Sequence, residues 1–110
     1  MPKQKKEAQI EKERVELSKK SGGGILSYEV WGYQEDKRTV VTRYNLAYIN
    51  HSIHAGDNGR VLGFDNAHGY HHRHFMGTVE PVIFESYEAQ LERFQQEFYA
   101  LIKQLHEQHP

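Results

Sequence analysis

The chain has 110 residues, a net charge of −1 with histidine neutral, 37% hydrophobic and 26% charged residues, and no cysteine. These values predict one globular domain, and they exclude disulfides, thiolate metal ligands and a protein basic enough to bind nucleic acid by overall charge alone. No apolar run approaches the ~18 residues of a membrane helix, and the N-terminal residues lack the apolar core of a signal peptide, so we expect a cytoplasmic protein that does not bind a membrane.

The first element predicted is a charged helix over residues 4–20. Its glutamates alternate with lysines and arginines at spacings that support i,i+4 ion pairs, and its apolar stripe is thin. The SGGG segment at 21–24 should end this helix, because glycine is a poor helix former and permits a hinge. We therefore predict a charged helical arm and Gly-rich hinge over residues 1–24, followed by a single α+β domain over 25–110. The arm is either a solvated helix or a basic surface for RNA or a partner.

Four strands are predicted after the hinge, because β-branched and aromatic residues concentrate in four runs bounded by turn residues. These runs cover residues 25–33, 39–50, 60–65 and 78–85. The first two are separated by a polar turn and should form an antiparallel hairpin. Within the second run, Arg43 and Asn45 share one face, so that face is expected to be partly polar and open to a ligand. Pro81 should confine the last strand to an edge of the sheet.

A C-terminal helix is predicted after Ser86, which is a suitable N-cap. Apolar residues recur from there at steps of three and four, as on one face of a helix. The stripe consists of Tyr87, Leu91, Phe94, Phe98, Leu101 and Leu105. It predicts a helix that lies on the sheet, with self-association as a homodimer as the alternative use of the stripe. The predicted fold class is α+β, with a charged N-terminal helix, a four-stranded mainly antiparallel sheet and a C-terminal amphipathic helix packed on the sheet.

Histidine is concentrated between the third and fourth predicted strands, where residues 66–74 have the sequence NAHGYHHRH. One interpretation is a metal site, because imidazole is a common ligand of zinc. Its ligands would be His68, His71, His72 and His74, with Asp65 and Asp57 nearby as further donors. Their spacing does not match a zinc finger or a His-Glu-x-x-His helix, so convergence on one ion would depend on the conformation of the loop.

The other interpretation is acid–base cleavage of RNA, which needs a base, an acid and cations that bind phosphate. Histidine can fill both proton roles near neutral pH, and arginine binds phosphate. The catalytic candidates are His68, His72, His74, Asp65 and Arg73, with Asp65 orienting a histidine or anchoring the loop. The candidates for RNA binding are Arg60, Arg43, Tyr44 and Tyr70, of which the tyrosines could stack on bases.

The segment FDNAHGYHHRH, residues 64–74, resembles the signature of the TumE-like toxin family. Those proteins carry an arginine, an aromatic residue, Asp and Asn, then a histidine, and then a His-Lys/Arg-His triplet. In this chain Asp65, Asn66 and His68 match the first part, and residues 72–74 match the triplet.

Two departures from the family pattern accompany the resemblance. Gly63 stands where the family's arginine usually precedes the aromatic residue, so Arg60 could serve in its place. Ala67 and Gly69 replace residues that are often proline and histidine in the family.

The resemblance implies a toxin of a bacterial toxin–antitoxin pair that acts on RNA. Its partners would be RNA and a cognate antitoxin, often one with a helix-turn-helix domain. With the residue chemistry above, it leads us to expect a metal-independent ribonuclease without a cofactor. Two other classes stay open. One is a non-catalytic interaction or regulatory module that uses the charged N-terminal segment and the amphipathic helix. The other is a metal-binding hydrolase built on the same histidines.

Overall fold

A computed structural model describes residues 6–108 of the chain. Six strands form one antiparallel sheet in which every strand neighbours the next one in sequence, and one helix follows them. The strands are β1 (Ala8–Glu16), β2 (Ile25–Glu35), β3 (Arg38–Ile49), β4 (Arg60–Asp65), β5 (His72–Phe75) and β6 (Thr78–Pro81), and the helix is α1 (Tyr87–Gln108). The α+β class and the C-terminal helix on the sheet were predicted correctly, whereas the N-terminal helix and the four-stranded sheet were wrong.

Residues 8–16 form the edge strand β1 where the sequence predicted a helix; residues 4 and 5 of that prediction lie outside the described part of the chain. The strand pairs antiparallel with β2, with Lys12 opposite Glu29 and Val15 opposite Leu26. Glutamate, lysine and glutamine favour a helix by only a few tenths of a kcal/mol per residue, roughly. The apolar stripe of this segment is too narrow to hold a helix against the sheet. Residues 8–16 therefore take the strand conformation that pairs with β2.

The histidine segment is also more ordered than predicted, because residues 72–75 form strand β5 between β4 and β6. A tight turn with positive φ at Met76 (50°) and Gly77 (86°) connects β5 to β6. The predicted fourth strand, 78–85, is correspondingly shorter and ends at Pro81, which stands at the end of an edge strand as expected.

The hairpin of β2 and β3 was predicted correctly. Asp36 and Lys37, both with positive φ, form a two-residue turn whose twist suits the strands it connects. The pairing begins with Glu35 opposite Arg38 and would place Trp31 opposite Thr42. A register shift moves Trp31 opposite Arg43 instead.

The core lies between α1 and one face of β3 and β4. Phe94 and Phe98 of the predicted stripe are buried, and Phe98 contacts Tyr48 with ring centroids 4.9 Å apart. Ser86 accepts a hydrogen bond from the backbone N–H of Ala89 at 3.0 Å, as an N-cap does. The buried core residues are Tyr44, Leu46, Tyr48, Val61, Leu62, Phe64, Phe94 and Phe98. Because α1 covers this face, the opposite face of the sheet is the one that can receive a ligand. Within residues 6–108, no helix has the length and apolar character needed to cross a membrane.

Candidate active site

The register of three strands brings the polar residues together on the sheet face opposite α1. Asp65 at the end of β4 lies between Asn45 of β3 and His72 of β5. His74 pairs with Gly63, so it shares the face of His72 and Asp65. Side chains two residues apart on a strand point to the same face. Three short segments thus supply one cluster.

Asp65 is the centre of this cluster. Its Oδ1 lies 2.7 Å from Nε2 of His72 and accepts the backbone N–H of Ala67 at 3.0 Å. Its Oδ2 lies 3.0 Å from Nε2 of His74 and 3.3 Å from Nη1 of Arg60. Asp65 is only 6% exposed, and a carboxylate so buried requires such partners. The aspartate therefore fixes the positions of both rings.

The two histidines differ in what faces their second ring nitrogen. Nδ1 of His72 lies 3.1 Å from the carbonyl oxygen of Tyr70, so both nitrogens of this ring face acceptors and the hydrogen bonds are complete only when it carries both protons. Nδ1 of His74 is buried and has no hydrogen-bond partner within residues 6–108; it lies 3.7 Å from Oδ2 of Asp57. Burial lowers the pKa of His74, and the Arg60 guanidinium lowers it further against the opposing effect of Asp65. Nδ1 of His74 is thus left open, whereas both ring nitrogens of His72 face acceptors.

Arg60 connects the cluster to a second carboxylate. A register shift opposite Tyr48 and Ile49 turns its side chain to the same face as Asp65. Its Nε and Nη2 donate to the two oxygens of Asp57 at 2.9 and 3.1 Å. These hydrogen bonds are the main reason that the pKa of Asp57 is lowered. Arg60 therefore contacts both carboxylates, Asp57 and Asp65.

A cavity of about 390 Å³ opens over the cluster. It is lined by residues of β2 to β5 and of the segment after β4: Trp31, Arg43, Tyr44, Asn45, Arg60, Asp65, Ala67, His68, His72 and His74. His68 is exposed and has a left-handed backbone conformation (φ 63°), which histidine adopts more readily than most residues. It stands at the rim, whereas His72 and His74 are buried at the floor.

Three contributors to this site were not predicted as site residues. Trp31 lines the cavity with the Arg43 guanidinium 4.2 Å above its ring, and Asn45 lines it with a buried, unpartnered Oδ1. The alternation along β3 indicated the face of Asn45, but the position of Trp31 depends on a register shift. Asp57 belongs to the turn before β4, and the sequence indicated it only as a further donor in the metal interpretation.

Arg73 was predicted to bind phosphate beside the histidines, and the structure corrects this. Arg73 lies on the other face of β5, where it binds Glu97 of α1 through Nε at 2.7 Å and Nη2 at 2.6 Å. Its Nη1 also contacts Glu80 at 3.2 Å. The reason is the two-residue period of a strand, which turns Arg73 away when His72 and His74 face the cavity.

The predicted role of Tyr44 is corrected as well. The side chain of Tyr44 is only 1% exposed and points into the core, so it cannot stack on a base. Its hydroxyl accepts from Gln90 at 2.9 Å, which leaves its proton for Nδ1 of His71 at 2.8 Å. Tyr70 is exposed and its ring contacts His72 with centroids 4.6 Å apart, so its stacking on a base stays a prediction.

The predicted metal ligands are corrected in part. In the part of the chain that the structure describes, the group that could hold an ion is Asp65, His72 and His74, whose ligand atoms lie within 4.8 Å of one another. His71 is excluded because its ring stacks on Phe84 at 3.9 Å and its Nδ1 is bound to Tyr44. His68 stands apart from this group at the rim. Two imidazoles and one carboxylate form a ligand set that suits iron, manganese or zinc.

Comparisons with known proteins do not indicate a function for this chain, so the function has to be argued from the site. No protein-family model, curated protein or solved structure matches this chain significantly. The resemblance to the TumE-like toxins, which is specific only over residues 64–74, therefore stays a prediction.

Proposed function

We propose that this chain is a toxin of a bacterial toxin–antitoxin pair and that it cleaves RNA by metal-independent acid–base catalysis. The observation that carries the proposal is that one buried carboxylate, Asp65, holds two histidines at the floor of a cavity with arginines in its lining. The proposed setting is the cytoplasm, and the proposed protein partner is a cognate antitoxin.

In the proposed reaction His74 is the base, because its neutral ring has an open lone pair. It removes the proton of a ribose 2′-hydroxyl. The 2′-oxygen then bonds to phosphorus, the bond between phosphorus and the 5′-oxygen breaks, and His72 donates a proton to the leaving 5′-oxygen. The products are a 2′,3′-cyclic phosphate and a 5′-hydroxyl. Such proton transfers contribute typically ~100- to 10,000-fold each.

The cations of the site have a separate role. Arg60 is already shared between Asp57 and Asp65, so a phosphate that draws its guanidinium away from Asp57 would also open the space beside Nδ1 of His74. Guanidinium groups bind phosphate in a bidentate manner and stabilise the charge that develops on it. His68 at the rim is placed to contact the substrate, and Asp65 acts as a positioning residue for both rings.

A metal-dependent hydrolase is the second candidate, and it is favoured by the surroundings of the two rings. Metal-bound histidines commonly donate their other N–H to a carbonyl or carboxylate. Nδ1 of His72 faces the carbonyl of Tyr70, and Nδ1 of His74 faces Asp57. Residues Asp65, His72 and His74 would hold the ion, which would supply an activated water.

One assay separates these candidates. Purified protein is incubated with labelled RNA and with DNA of the same sequence, with and without EDTA, and the product ends are mapped. The first proposal expects RNA cleavage that resists EDTA, leaves cyclic phosphate and spares DNA, which lacks the 2′-hydroxyl. Cleavage that stops with EDTA and returns with zinc or manganese would replace it by the second candidate. No cleavage, with or without ribosomes, would favour a non-catalytic interaction module.

Substitutions of the cluster residues test whether they carry out the RNA cleavage measured in that assay. His72→Asn, His74→Gln and Asp65→Asn should each lower cleavage by at least ~100-fold and relieve growth arrest on induced expression. His106→Gln, at an exposed position near the end of α1, is the matched control and should keep full activity. Circular dichroism checks that each variant is folded. Full toxicity of both folded histidine variants would contradict the catalytic assignment.

A further inference from the structure

We propose that the cavity holds one unpaired nucleobase, stacked on Trp31 and hydrogen-bonded to Asn45, with Arg43 on the adjacent phosphate. This inference rests on the proposed function and narrows the substrate to single-stranded RNA. The three residues are called the base subsite below.

Trp31 provides the stacking surface of the base subsite. It is the one tryptophan of the chain, it lines the cavity, and it pairs in register with Arg43. The Arg43 guanidinium lies 4.2 Å from the centre of the ring. A planar group already occupies the place where a base would stack, and bases stack on aromatic side chains irrespective of sequence.

Arg43 is held there weakly enough to be displaced. Its side chain is 54% exposed, and its Nη2 lies 3.4 Å from an oxygen of Glu7, which is itself 41% exposed. Exposed ion pairs of this kind contribute little to stability. A phosphate of the substrate can therefore replace Glu7 as the partner of Arg43 while a base takes the place of the guanidinium over Trp31.

Asn45 supplies the polar contact. Its Oδ1 is buried and has no hydrogen-bond partner among the residues that the structure describes. A buried acceptor without a partner is unfavourable, and a donor from a ligand would satisfy it. A side-chain amide offers an acceptor beside a donor, and the pairing edge of a base offers the same combination.

The location of Asn45 connects the base subsite to the reaction. Asn45 pairs in register with Asp65, and side chains of such cross-strand pairs are roughly 5 Å apart at Cβ. The nucleotide bound here is therefore next to the phosphate at the histidines. Because a duplex occupies the pairing edge of each base and stacks both of its faces, the subsite accepts only an unpaired base.

Binding is measured with 2′-O-methylated RNA in EDTA, because the blocked hydroxyl prevents the proposed cleavage. A single-stranded oligonucleotide should change the fluorescence of Trp31, and the same sequence as a duplex should bind at least ~10-fold more weakly. Asn45→Leu should weaken single-strand binding by about 10-fold, the equivalent of one lost hydrogen bond to the ligand. It should not lower thermal stability, because it removes an unpartnered buried oxygen.

Fluorescence anisotropy of a labelled oligonucleotide extends the test to Trp31 itself. Trp31→Ala should abolish the preference for single strands, and Trp31→Phe should retain part of it. Tyr99→Ala, at a position 68% exposed on α1, is the control and should bind as wild type.

Equal binding of single strand and duplex, no binding of either, or unchanged binding by folded Asn45→Leu and Trp31→Ala variants would overturn the base subsite. If unmodified RNA were still cleaved in those cases, the ribonuclease proposal would stand. The expected binding pattern without cleavage would refute the ribonuclease instead.

Discussion

Gly63 lies directly beneath the side chain of Arg60. A Cβ on Gly63 would stand 2.8 Å from Cδ of Arg60 and 3.1 Å from the backbone oxygen of Leu46. The first distance is shorter than real Cβ contacts, and the backbone oxygen leaves the added carbon little room to move away. Glycine at this position therefore lets Arg60 cross the strand to reach Asp65.

The first prediction follows from this contact. Gly63→Ala should displace Arg60 from Asp65 and lower RNA cleavage about as far as Arg60→Gln does. The double variant should be no worse than either single variant, because both changes remove the same interaction. The measurement is kcat/KM of the three variants on one RNA substrate. Fully additive losses would show that Gly63 acts independently of Arg60.

The sequence predicted the elements that have strong local patterns. The apolar stripe of α1 and its cap at Ser86 depend on neighbours three and four residues apart, and the hairpin of β2 and β3 is bounded by a polar turn. Strand β1 was missed because its residues favour a helix, while its strand conformation depends on pairing with β2. Strand β5 was missed because four residues, His72–Phe75, carry no alternation of apolar and polar residues.

The wrong predictions about the site arise because strand β5 was not predicted. Once residues 72–75 are known to be a strand, its period of two separates Arg73 from His72 and His74. The same alternation on β3 separates Tyr44 from Asn45. A histidine and the loop backbone were predicted as partners of Asp65. Its contact with Arg60 and its position between two histidines could not have been predicted, because they depend on the order of β4 and β5 and on the bulge that turns Arg60 toward it.

The second prediction concerns Arg73, whose guanidinium connects the sheet to Glu97 of α1. Arg73→Gln should lower the free energy of unfolding by about 1–3 kcal/mol, because a charge-assisted pair that is mostly buried on the arginine side is lost. It should leave kcat/KM for RNA within about twofold, since the side chain does not reach the cavity. Urea denaturation and a cleavage assay measure the two effects. A large loss of RNA cleavage by an Arg73→Gln variant of normal stability would mean that Arg73 takes part in the active site.

The third prediction concerns the buried hydroxyl of Tyr44. Tyr44→Phe removes the partner of both Gln90 and His71, so the amide of Gln90 is left unsatisfied in the core. The expected cost is about 1–3 kcal/mol of unfolding free energy. RNA binding should not change, because the ring lies on the core side of the sheet. Weaker RNA binding by a stable Tyr44→Phe variant would mean that Tyr44 contacts the substrate.

The last prediction is the dependence of stability on pH that His71 causes. Burial, with a smaller contribution from nearby His72, lowers the pKa of His71 below its ordinary value of 6.5. In the His71 tautomer that carries its proton on Nε2, Nδ1 accepts from the Tyr44 hydroxyl, and protonation of Nδ1 would break this hydrogen bond. Below pH 6.5, His71 is therefore protonated in the unfolded chain before it is protonated in the folded protein. The unfolded state binds more protons in this range.

Because the unfolded state binds more protons, stability rises with pH in this range and is lost as the pH falls from 6.5 toward the lowered pKa of the folded state. One such group contributes at most ~1.4 kcal/mol per pH unit. Urea denaturation at pH values between about 5 and 8 should show a steeper slope for the wild type than for His71→Gln, whose amide oxygen can still accept from Tyr44 but does not titrate. The carboxylate of Asp57 has its pKa lowered from 3.8, so it titrates below this range. Identical slopes for the two proteins would mean that His71 is as readily protonated in the folded state as in the unfolded chain.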